Sequence, residues 1–243
     1  MRTILVVNSK GGCGKSTITT NLACFFARER KSVTIADFDP QASSLQWLKA
    51  RPRDRPHITG MDGLETGFRL PRDADYVILD APAGIRGSEL TGLVRRAQTI
   101  LVPVLPSATD MRSTARFVRE LLVVGKVSRK ETRVATIANR VPEVSALSRA
   151  AEILLGGIDF PYQSVPSQIY RPLERFLRRL KIPFIATFPD SPSYALADAA
   201  GLGICELGDS RSTWDAVRWR PLIEWLNSPQ SIAPPSRAGL GSK

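Results

Sequence analysis

The run Ser9-Lys10-Gly11-Gly12-Cys13-Gly14-Lys15-Ser16-Thr17 combines the residue types that bind the phosphates of a nucleotide. Glycines let backbone N–H groups approach phosphate oxygens because no Cβ blocks the way. A helix N-terminus after the glycines adds unsatisfied donors and a partial positive charge. Lys15 is placed to reach the β- and γ-phosphates, and the Ser16 hydroxyl is placed to ligate Mg²⁺. The run predicts a phosphate loop; the alternative is a glycine-rich turn with two solvated lysines.

The loop departs from the ordinary pattern G-x-x-x-x-G-K-[ST]. Ser9 stands where that pattern has its first glycine, and Lys10 adds a second lysine. K-G-G-x-G-K-[ST] is the deviant Walker A motif, on which the chain resembles the ParA/MinD family of ATPases. The resemblance implies ATP and Mg²⁺ as ligands and a homodimer that forms with ATP, in which Lys10 touches phosphates bound by the other subunit. It implies these nucleotide contacts in the loop: Lys10, Gly11, Gly12, Cys13, Gly14, Lys15, Ser16 and Thr17.

Two strand ends further along the chain carry carboxylates. The first is Asp37-Phe38-Asp39-Pro40-Gln41, and the second is Asp80, which follows the apolar run from Tyr76 to Leu79. Carboxylates one residue apart on a strand end point to opposite faces, so Asp37 and Asp39 should not share one task. A buried strand delivers Asp80 to the edge of the sheet where Mg²⁺ would lie.

The resemblance gives these carboxylates separate roles. Its Walker A′ segment implies that Asp39 positions the attacking water, which places Asp39 with Lys10 and Lys15 in the catalytic set. Asp37 would support the magnesium shell, and Asp80 would be the Walker B carboxylate, so the metal set is Ser16, Asp37 and Asp80. Gly84, in the turn after Asp80, would offer a backbone donor to the γ-phosphate. Asn139 and Pro189, each at the end of a later predicted strand, would border the base.

Strands alternate with helices along the chain, which predicts an α/β fold: a doubly wound, mainly parallel sheet flanked by helices, with ATP at the carboxyl ends of the strands. We expect one ATPase domain over residues 1–227 and a disordered tail over residues 228–243, which are rich in Pro, Ser and Gly. A single last helix is expected over residues 213–227, with Pro221 inside it. Residues 58–72 receive no assignment, and residues 141–168 are expected to be irregular, with one helix over 145–155.

The charge balance points to a polyanionic partner. The 243 residues carry a formal net charge of +11, and the isoelectric point is about 10.1. In the predicted helix 171–181, Leu173, Phe176, Leu177 and Leu180 form an apolar stripe. The DNA-binding candidates on its remaining faces are Arg171, Arg175, Arg178 and Arg179. A solvated helix exterior is the alternative for that face, and Arg112, Arg116 and Arg119 are a second candidate basic footprint.

Other residue classes exclude several kinds of protein. No apolar run reaches the roughly 20 residues that a membrane span needs, and the first residues lead directly into a predicted strand, so no signal peptide is expected. Cys13, Cys24 and Cys205 have no metal-binding or redox spacing. The absence of cysteines between Cys24 and Cys205 excludes an iron–sulfur reductase on this fold. We therefore expect a cytoplasmic protein.

Two functional hypotheses remain open. In the first, an ATP-bound homodimer binds nucleoid DNA without sequence preference and positions DNA or protein cargo, and a ParB-like or cargo-adaptor protein stimulates hydrolysis. The segment from Tyr194 to Gly201 resembles a Y-x-x-A-x-x-x-G helix of short, orphan ParA-type proteins, which position cargoes such as carboxysomes. In the second, the chain is a membrane-cycling ATPase like MinD. Pro221 and the polar tail argue against the second, because MinD-type proteins end in an amphipathic targeting helix.

Overall fold

The computed structural model describes residues 1–123, 132–142, 167–180 and 182–231. Within these residues, seven strands form one sheet in the order β3-β2-β4-β1-β5-β6-β7, and every pair of neighbours is parallel. The strands are β1 (Arg2–Val6), β2 (Val33–Asp37), β3 (Thr59–Asp62), β4 (Tyr76–Asp80), β5 (Thr99–Val104), β6 (Arg133–Val141) and β7 (Phe184–Pro189). The predicted parallel α/β sheet is confirmed.

Helices cover both faces of the sheet. In the described residues they are α1 (Lys15–Arg28), α2 (Ser43–Ala50), α3 (Gly87–Arg96), α4 (Ala108–Val123), α5 (Ser167–Arg179), α6 (Pro192–Ala199), α7 (Ser210–Val217) and α8 (Arg220–Asn227). Side chains of α1, α2 and α8 share one apolar cluster, and those of α3, α4 and α5 fill clusters on the opposite face.

The central strand shows why the sequence forms a sheet with two covered faces. In and just after β1, Ile4 and Val6 belong to the cluster under α1, whereas Leu5 and Val7 belong to the cluster under α3 and α4. Successive side chains of a strand point to opposite faces, so a continuous apolar run suits a parallel strand that is buried on both sides.

The strand order places the carboxyl ends of β1, β2 and β4 side by side. Asp37 at the end of β2 is in register with Asp80 at the end of β4, and Val6 of β1 is in register with Asp80. The chain moves to one side of the sheet after β1 and to the other side after β4. Ligands of such sheets bind where the strand order reverses, beyond the carboxyl ends.

Two features differ from the sequence expectations. The single helix predicted over 213–227 was wrong: the structure has α7 and α8, and Pro221 lies in the first turn of α8. Proline lacks the N–H that an interior helical position needs but is tolerated in a first turn. Residues 58–72, which had no assignment, contain the edge strand β3. The helix expected over 145–155 lies outside the described residues.

Residues just after α8 pack into the fold. A short 3₁₀ helix covers Pro229–Ser231, and Ser231 is buried. The Arg2 guanidinium donates to the Ser231 hydroxyl, and the Thr99 hydroxyl donates to the Ser231 carbonyl oxygen at 2.7 Å. The described fold thus extends through Ser231, a few residues beyond the boundary that composition predicted at residue 228.

A buried ion pair fixes the helices on the α1 face. Arg51, after α2, donates through both terminal nitrogens to the carboxylate of Glu206, at 2.9 and 2.8 Å. The two side chains are 6% and 2% exposed. Burial acts to raise the pKa of Glu206, but the hydrogen bonds from Arg51 and from the backbone of Gly203 outweigh it, so the pKa lies below its ordinary value.

Candidate nucleotide site

The loop between β1 and α1 has the backbone that a phosphate loop requires. Gly14 has φ +89°, a left-handed conformation that residues with a Cβ adopt at a cost. A Cβ at this position would also lie 2.1 Å from the Asn139 amide nitrogen. Glycine is thus required at position 14 for two independent reasons, at the point where the loop enters α1.

Asn139 fixes this loop from the end of β6. Its Nδ2 donates to the carbonyl oxygen of Cys13 at 2.8 Å, and both residues are buried. The family resemblance implied that Asn139 borders the base. The structure shows in addition that its side chain connects the end of β6 to the phosphate loop. The Cys13 thiol packs beneath the loop and contacts the Lys10 carbonyl oxygen at 3.2 Å. Burial raises the pKa of the Cys13 thiol, which suits a packing role.

The two lysines of the loop have different surroundings. Lys15 is buried, and its Nζ lies 3.4 Å from the Lys10 carbonyl oxygen. Lys10 is 42% exposed, and its Nζ lies 3.5 Å from Asp110 Oδ1 in the first turn of α4. One ammonium group is therefore held within the loop, and the other stands at its mouth.

Asp80 is the most perturbed carboxyl group of the site. It is fully buried, and neither carboxylate oxygen receives a well-formed hydrogen bond from the described residues. Burial, followed by the charge of neighbouring Asp37, raises the pKa of Asp80 to about 7, although the Ser16 hydroxyl and Lys15 act in the opposite direction. A buried carboxylate without a partner is stabilised by a cation. Asp80 and Ser16 together fit the oxygen ligands that Mg²⁺ prefers.

Asp37 has a structural role that the sequence did not reveal. Its Oδ2 accepts from the Ser44 hydroxyl at 2.7 Å, from Ser44 N at 3.1 Å and from Leu45 N at 3.3 Å, while Oδ1 accepts from Asp39 N at 2.9 Å. Asp37 thus binds the first turn of α2 through Oδ2, while Oδ1 accepts one hydrogen bond. Its negative charge also lies beside Asp80 and acts to raise the pKa of that carboxyl group.

Asp39 joins two loops that face the phosphate loop. Its Oδ1 accepts from Gln41 N at 2.9 Å, and its Oδ2 accepts from Ala83 N at 3.3 Å, in the turn after β4. The same turn contacts the phosphate loop, since Gly84 N donates to the Ser9 carbonyl oxygen at 2.9 Å. The Gly84 N–H, expected to face the γ-phosphate, is used in this contact.

These residues surround a cavity of about 740 Å³, within the range of small-molecule sites. Asp39, Asn139 and Pro189 line it together with the phosphate loop. Arg140, at φ +51°, forms an ion pair with Asp190 at 3.0 Å on one wall. Other lining residues were not predicted as site residues from the sequence; they come from α2, α6 and the β7–α6 connection and are Gln46, Trp47, Asp190, Ser191, Tyr194, Ala195 and Asp198.

A second groove of about 630 Å³ shares Asp39, Gln41 and Ala83 with the nucleotide cavity, so it adjoins that cavity at the Asp39 and Ala83 loops. Its walls are mainly apolar and include Phe38, Ile85 and Leu93. The two loops therefore separate two cavities.

The predicted DNA-binding arginines stand apart from the nucleotide cavity. Arg171, Arg175, Arg178 and Arg179 are exposed on α5, while Leu173 and Leu177 of the same helix are buried. Arg178 pairs with Glu174 at 2.8 Å. Among the described residues, no helix combines the length and the apolar character that crossing a membrane demands.

Comparisons with known proteins agree with this geometry. A family model described as CobQ/CobB/MinD/ParA nucleotide binding domain matches residues 4–201. "Maintenance of carboxysome distribution protein A" of Halothiobacillus neapolitanus is 26% identical over 165 residues, covering 65% of this chain and 76% of the relative. The solved structure of apo McdA from Cyanothece has a TM-score of 0.71 at 15% identity, covering 93% of this chain and 99% of its own. The MinC:MinD complex of Aquifex aeolicus gives a TM-score of 0.64 at 17% identity, covering 92% and 96%.

Proposed function

The chain belongs to the CobQ/CobB/MinD/ParA nucleotide-binding family, and from this premise we propose that it is an ATPase that dimerises with ATP, binds DNA without sequence preference and positions a cargo. The observation that carries the proposal is the pair of lysines in one phosphate loop. Lys15 is buried inside the loop, whereas Lys10 stands half-exposed at its mouth. The side chain of Lys10, once it leaves Asp110, would be accessible to a second subunit.

The site residues divide the work of hydrolysis. The loop from Lys10 to Thr17 binds the phosphates of ATP, and Asn139 and Pro189 border the base. Ser16 and Asp80 hold Mg²⁺, which neutralises phosphate charge when bound. The Asp39 carboxylate, held by Gln41 N and Ala83 N, orients the attacking water. Lys10 and Lys15 stabilise the charge that develops on the transferred phosphate.

DNA is the polyanion that we propose for the basic surface. The net charge of +11 supports this choice, and so do the exposed arginines of α5. Guanidinium groups bind phosphates through two parallel hydrogen bonds and carry no base preference at the backbone. The protein would then be cytoplasmic and associated with the nucleoid.

The cargo and the stimulating partner rest on the similarity to relatives. The Halothiobacillus neapolitanus relative is named for the maintenance of carboxysome distribution. We propose a comparable task for this chain, the distribution of DNA or a protein assembly, with a ParB-like or cargo-adaptor protein that accelerates its weak basal hydrolysis.

A membrane-cycling ATPase like MinD is the second candidate. The observation that favours it is on α7, where Trp214 and Val217 are 73% and 56% exposed. Residues three apart share one face of a helix, and exposed tryptophan is typical of membrane interfaces.

The deciding experiment measures the binding of the full chain to non-specific duplex DNA with ATP, with ADP and without nucleotide, across a salt series. The proposal expects binding with ATP only and a steep loss of affinity with salt. The absence of DNA binding, together with ATP-dependent sedimentation on anionic vesicles, would overturn it in favour of the membrane-cycling ATPase.

A further inference from the structure

Two neighbouring helices carry exposed arginines at the same spacing. On α4 they are Arg112, Arg116 and Arg119, and on α5 they are Arg171, Arg175 and Arg178, with Arg179 beside the last. The shared spacing of four and then three residues places each set in a row along one side of its helix.

Both rows point away from the sheet. On α4 the buried side chains include Phe117, Val118 and Leu121, and at 3.6 residues per turn their centre lies about 180° around the helix from the arginines. On α5 the buried residues are Leu173 and Leu177, and they lie opposite the arginines in the same way. The apolar sides face the sheet, so the arginines face solvent.

The two helices lie side by side on the same face of the sheet. Helix α4 packs against β5, and α5 packs against its neighbour β6. Met111 of α4 packs against the apolar cluster that contains Leu173 and Leu177, and Leu180, just after α5, packs against the cluster that contains Phe117. Neighbouring packed helices are about 10 Å apart, so the arginine rows are separated by a similar distance.

The acids on these helices do not neutralise the arginines. The two helices contain seven arginines and three acids, Asp110, Glu120 and Glu174. Asp110 contacts Lys10 at 3.5 Å, Glu174 pairs with Arg178 at 2.8 Å, and Glu120 accepts from Gly87 N at 3.5 Å. Among the residues that the structure describes, these three contacts therefore involve Arg178 but none of the other six arginines.

We propose that α4 and α5 form one composite surface, the arginine face, that binds the phosphate backbone of duplex DNA. The inference rests on the proposed function and extends it from one helix to two. The DNA grooves are about 12 and 6 Å wide, so two arginine rows about 10 Å apart can contact phosphates of both strands across a groove. Contacts to phosphates alone give binding without sequence preference.

The test compares two triple variants with a control of equal charge change. One variant carries Arg112→Gln, Arg116→Gln and Arg119→Gln on α4. The other carries Arg171→Gln, Arg175→Gln and Arg179→Gln on α5 and leaves the pair of Arg178 and Glu174 intact. The control carries Arg53→Gln, Arg55→Gln and Arg72→Gln, exposed residues in the loops that flank the opposite edge strand, β3.

The readout is the slope of log affinity against log salt for a random-sequence duplex with ATP. Each neutralised phosphate contributes about 0.9 to this slope, so each triple variant is expected to reduce it by about 2 to 3, while the control keeps it. An α4 variant with the unmodified slope would overturn the composite face and leave DNA binding by α5 intact. Failure of the unmodified chain to bind DNA in every nucleotide state would overturn both proposals.

Two further measurements separate the remaining outcomes. Basal ATP hydrolysis and the thermal unfolding temperature should be equal in all variants. If a triple variant unfolds, the single changes Arg116→Gln and Arg175→Gln should each reduce the slope by about 1.

Binding to vesicles of phosphatidylserine and phosphatidylcholine tests whether the arginine face binds a membrane instead. Binding to these vesicles but not to DNA, lost in both triple variants, would overturn the DNA assignment.

Discussion

Lys10 and Asp110 form an ion pair that joins the phosphate loop to the first turn of α4, with Nζ 3.5 Å from Oδ1. The side chains are 42% and 14% exposed, and partly solvated pairs contribute at most about 1 kcal/mol. In the proposed dimer, Lys10 must leave Asp110 to reach the phosphates of the other subunit. Under that proposal, the pair would act as a weak restraint on dimerisation.

We predict that Asp110→Asn strengthens the ATP-bound dimer by up to about fivefold in dissociation constant, the equivalent of about 1 kcal/mol. Sedimentation velocity with ATP over a range of protein concentrations measures this. Lys10→Ala should abolish the dimer while leaving the fold intact, and Asp54→Asn, in an exposed loop, is the matched control. An unchanged or weaker dimer in Asp110→Asn would show that the pair does not restrain Lys10.

Asp39→Asn should bind ATP and dimerise but lose turnover by about 10²- to 10⁴-fold, the usual contribution of a positioned acid or base. The reason is that the Asp39 carboxylate is held by Gln41 N and Ala83 N, and asparagine keeps the shape but not the charge. Single-turnover hydrolysis and fluorescent-nucleotide binding separate the two effects. Asp62→Asn is the control. Wild-type turnover in Asp39→Asn would contradict the assignment of Asp39 to the catalytic set.

Asp80 should make the nucleotide-free chain less stable as pH rises. Its pKa is raised from the ordinary 3.8 to about 7, so the folded state binds the proton more tightly than the unfolded chain does. This stabilisation is present below about pH 4 and is lost as pH rises through about 7. The total loss is on the order of 4 kcal/mol in the free energy of unfolding. Urea unfolding of the unmodified chain and of Asp80→Asn, at several pH values in this range, measures the loss. If the free energy of unfolding depends on pH equally in both proteins, the prediction is contradicted.

Glu206→Gln should lower the free energy of unfolding by about 3–5 kcal/mol, because it leaves the Arg51 guanidinium buried without its counter-charge. The pKa of Glu206 lies below its ordinary value of 4.5, so its stabilisation is present above pH 4.5 and is lost as pH falls through the folded-state pKa. Denaturant unfolding measures both effects. Glu224→Gln, in the exposed pair with Arg220, should cost less than about 1 kcal/mol; equal losses in the two variants would contradict the prediction.

The order of motifs was enough to predict the sheet and the edge of the sheet at which the candidate residues lie. The apolar runs before Ser9 and Asp80 have the composition of strands buried on both faces, and such strands bring their carboxyl ends to one edge. Local pattern therefore predicted the phosphate loop, the strands that carry Asp37 and Asp80, and the helix of the α5 arginines.

Contacts between distant residues could not be predicted in this way. The amide of Asn139 reaches Cys13 over a separation of 126 residues, and β3 is held by pairing with β2 rather than by any pattern of its own. The hydrogen bonds of Asp37 to Ser44 and Leu45 span seven and eight residues, whereas a capping signal lies immediately before the helix, so no local pattern predicted them. The break in the last helix, by contrast, was accessible, because Pro221 marks a first turn more often than a helix interior.

The contact between Arg2 and Ser231 joins the first strand to the last helix that the structure describes. Arg2 begins β1, Ser231 ends the 3₁₀ helix, and the two side chains are hydrogen-bonded. The Thr99 hydroxyl also bonds to Ser231, so this junction lies at the amino ends of β1 and β5, the edge opposite the phosphate loop. The sheet is therefore fixed at its amino edge by a contact between residues 229 positions apart in the sequence, while its carboxyl edge is left open to a nucleotide.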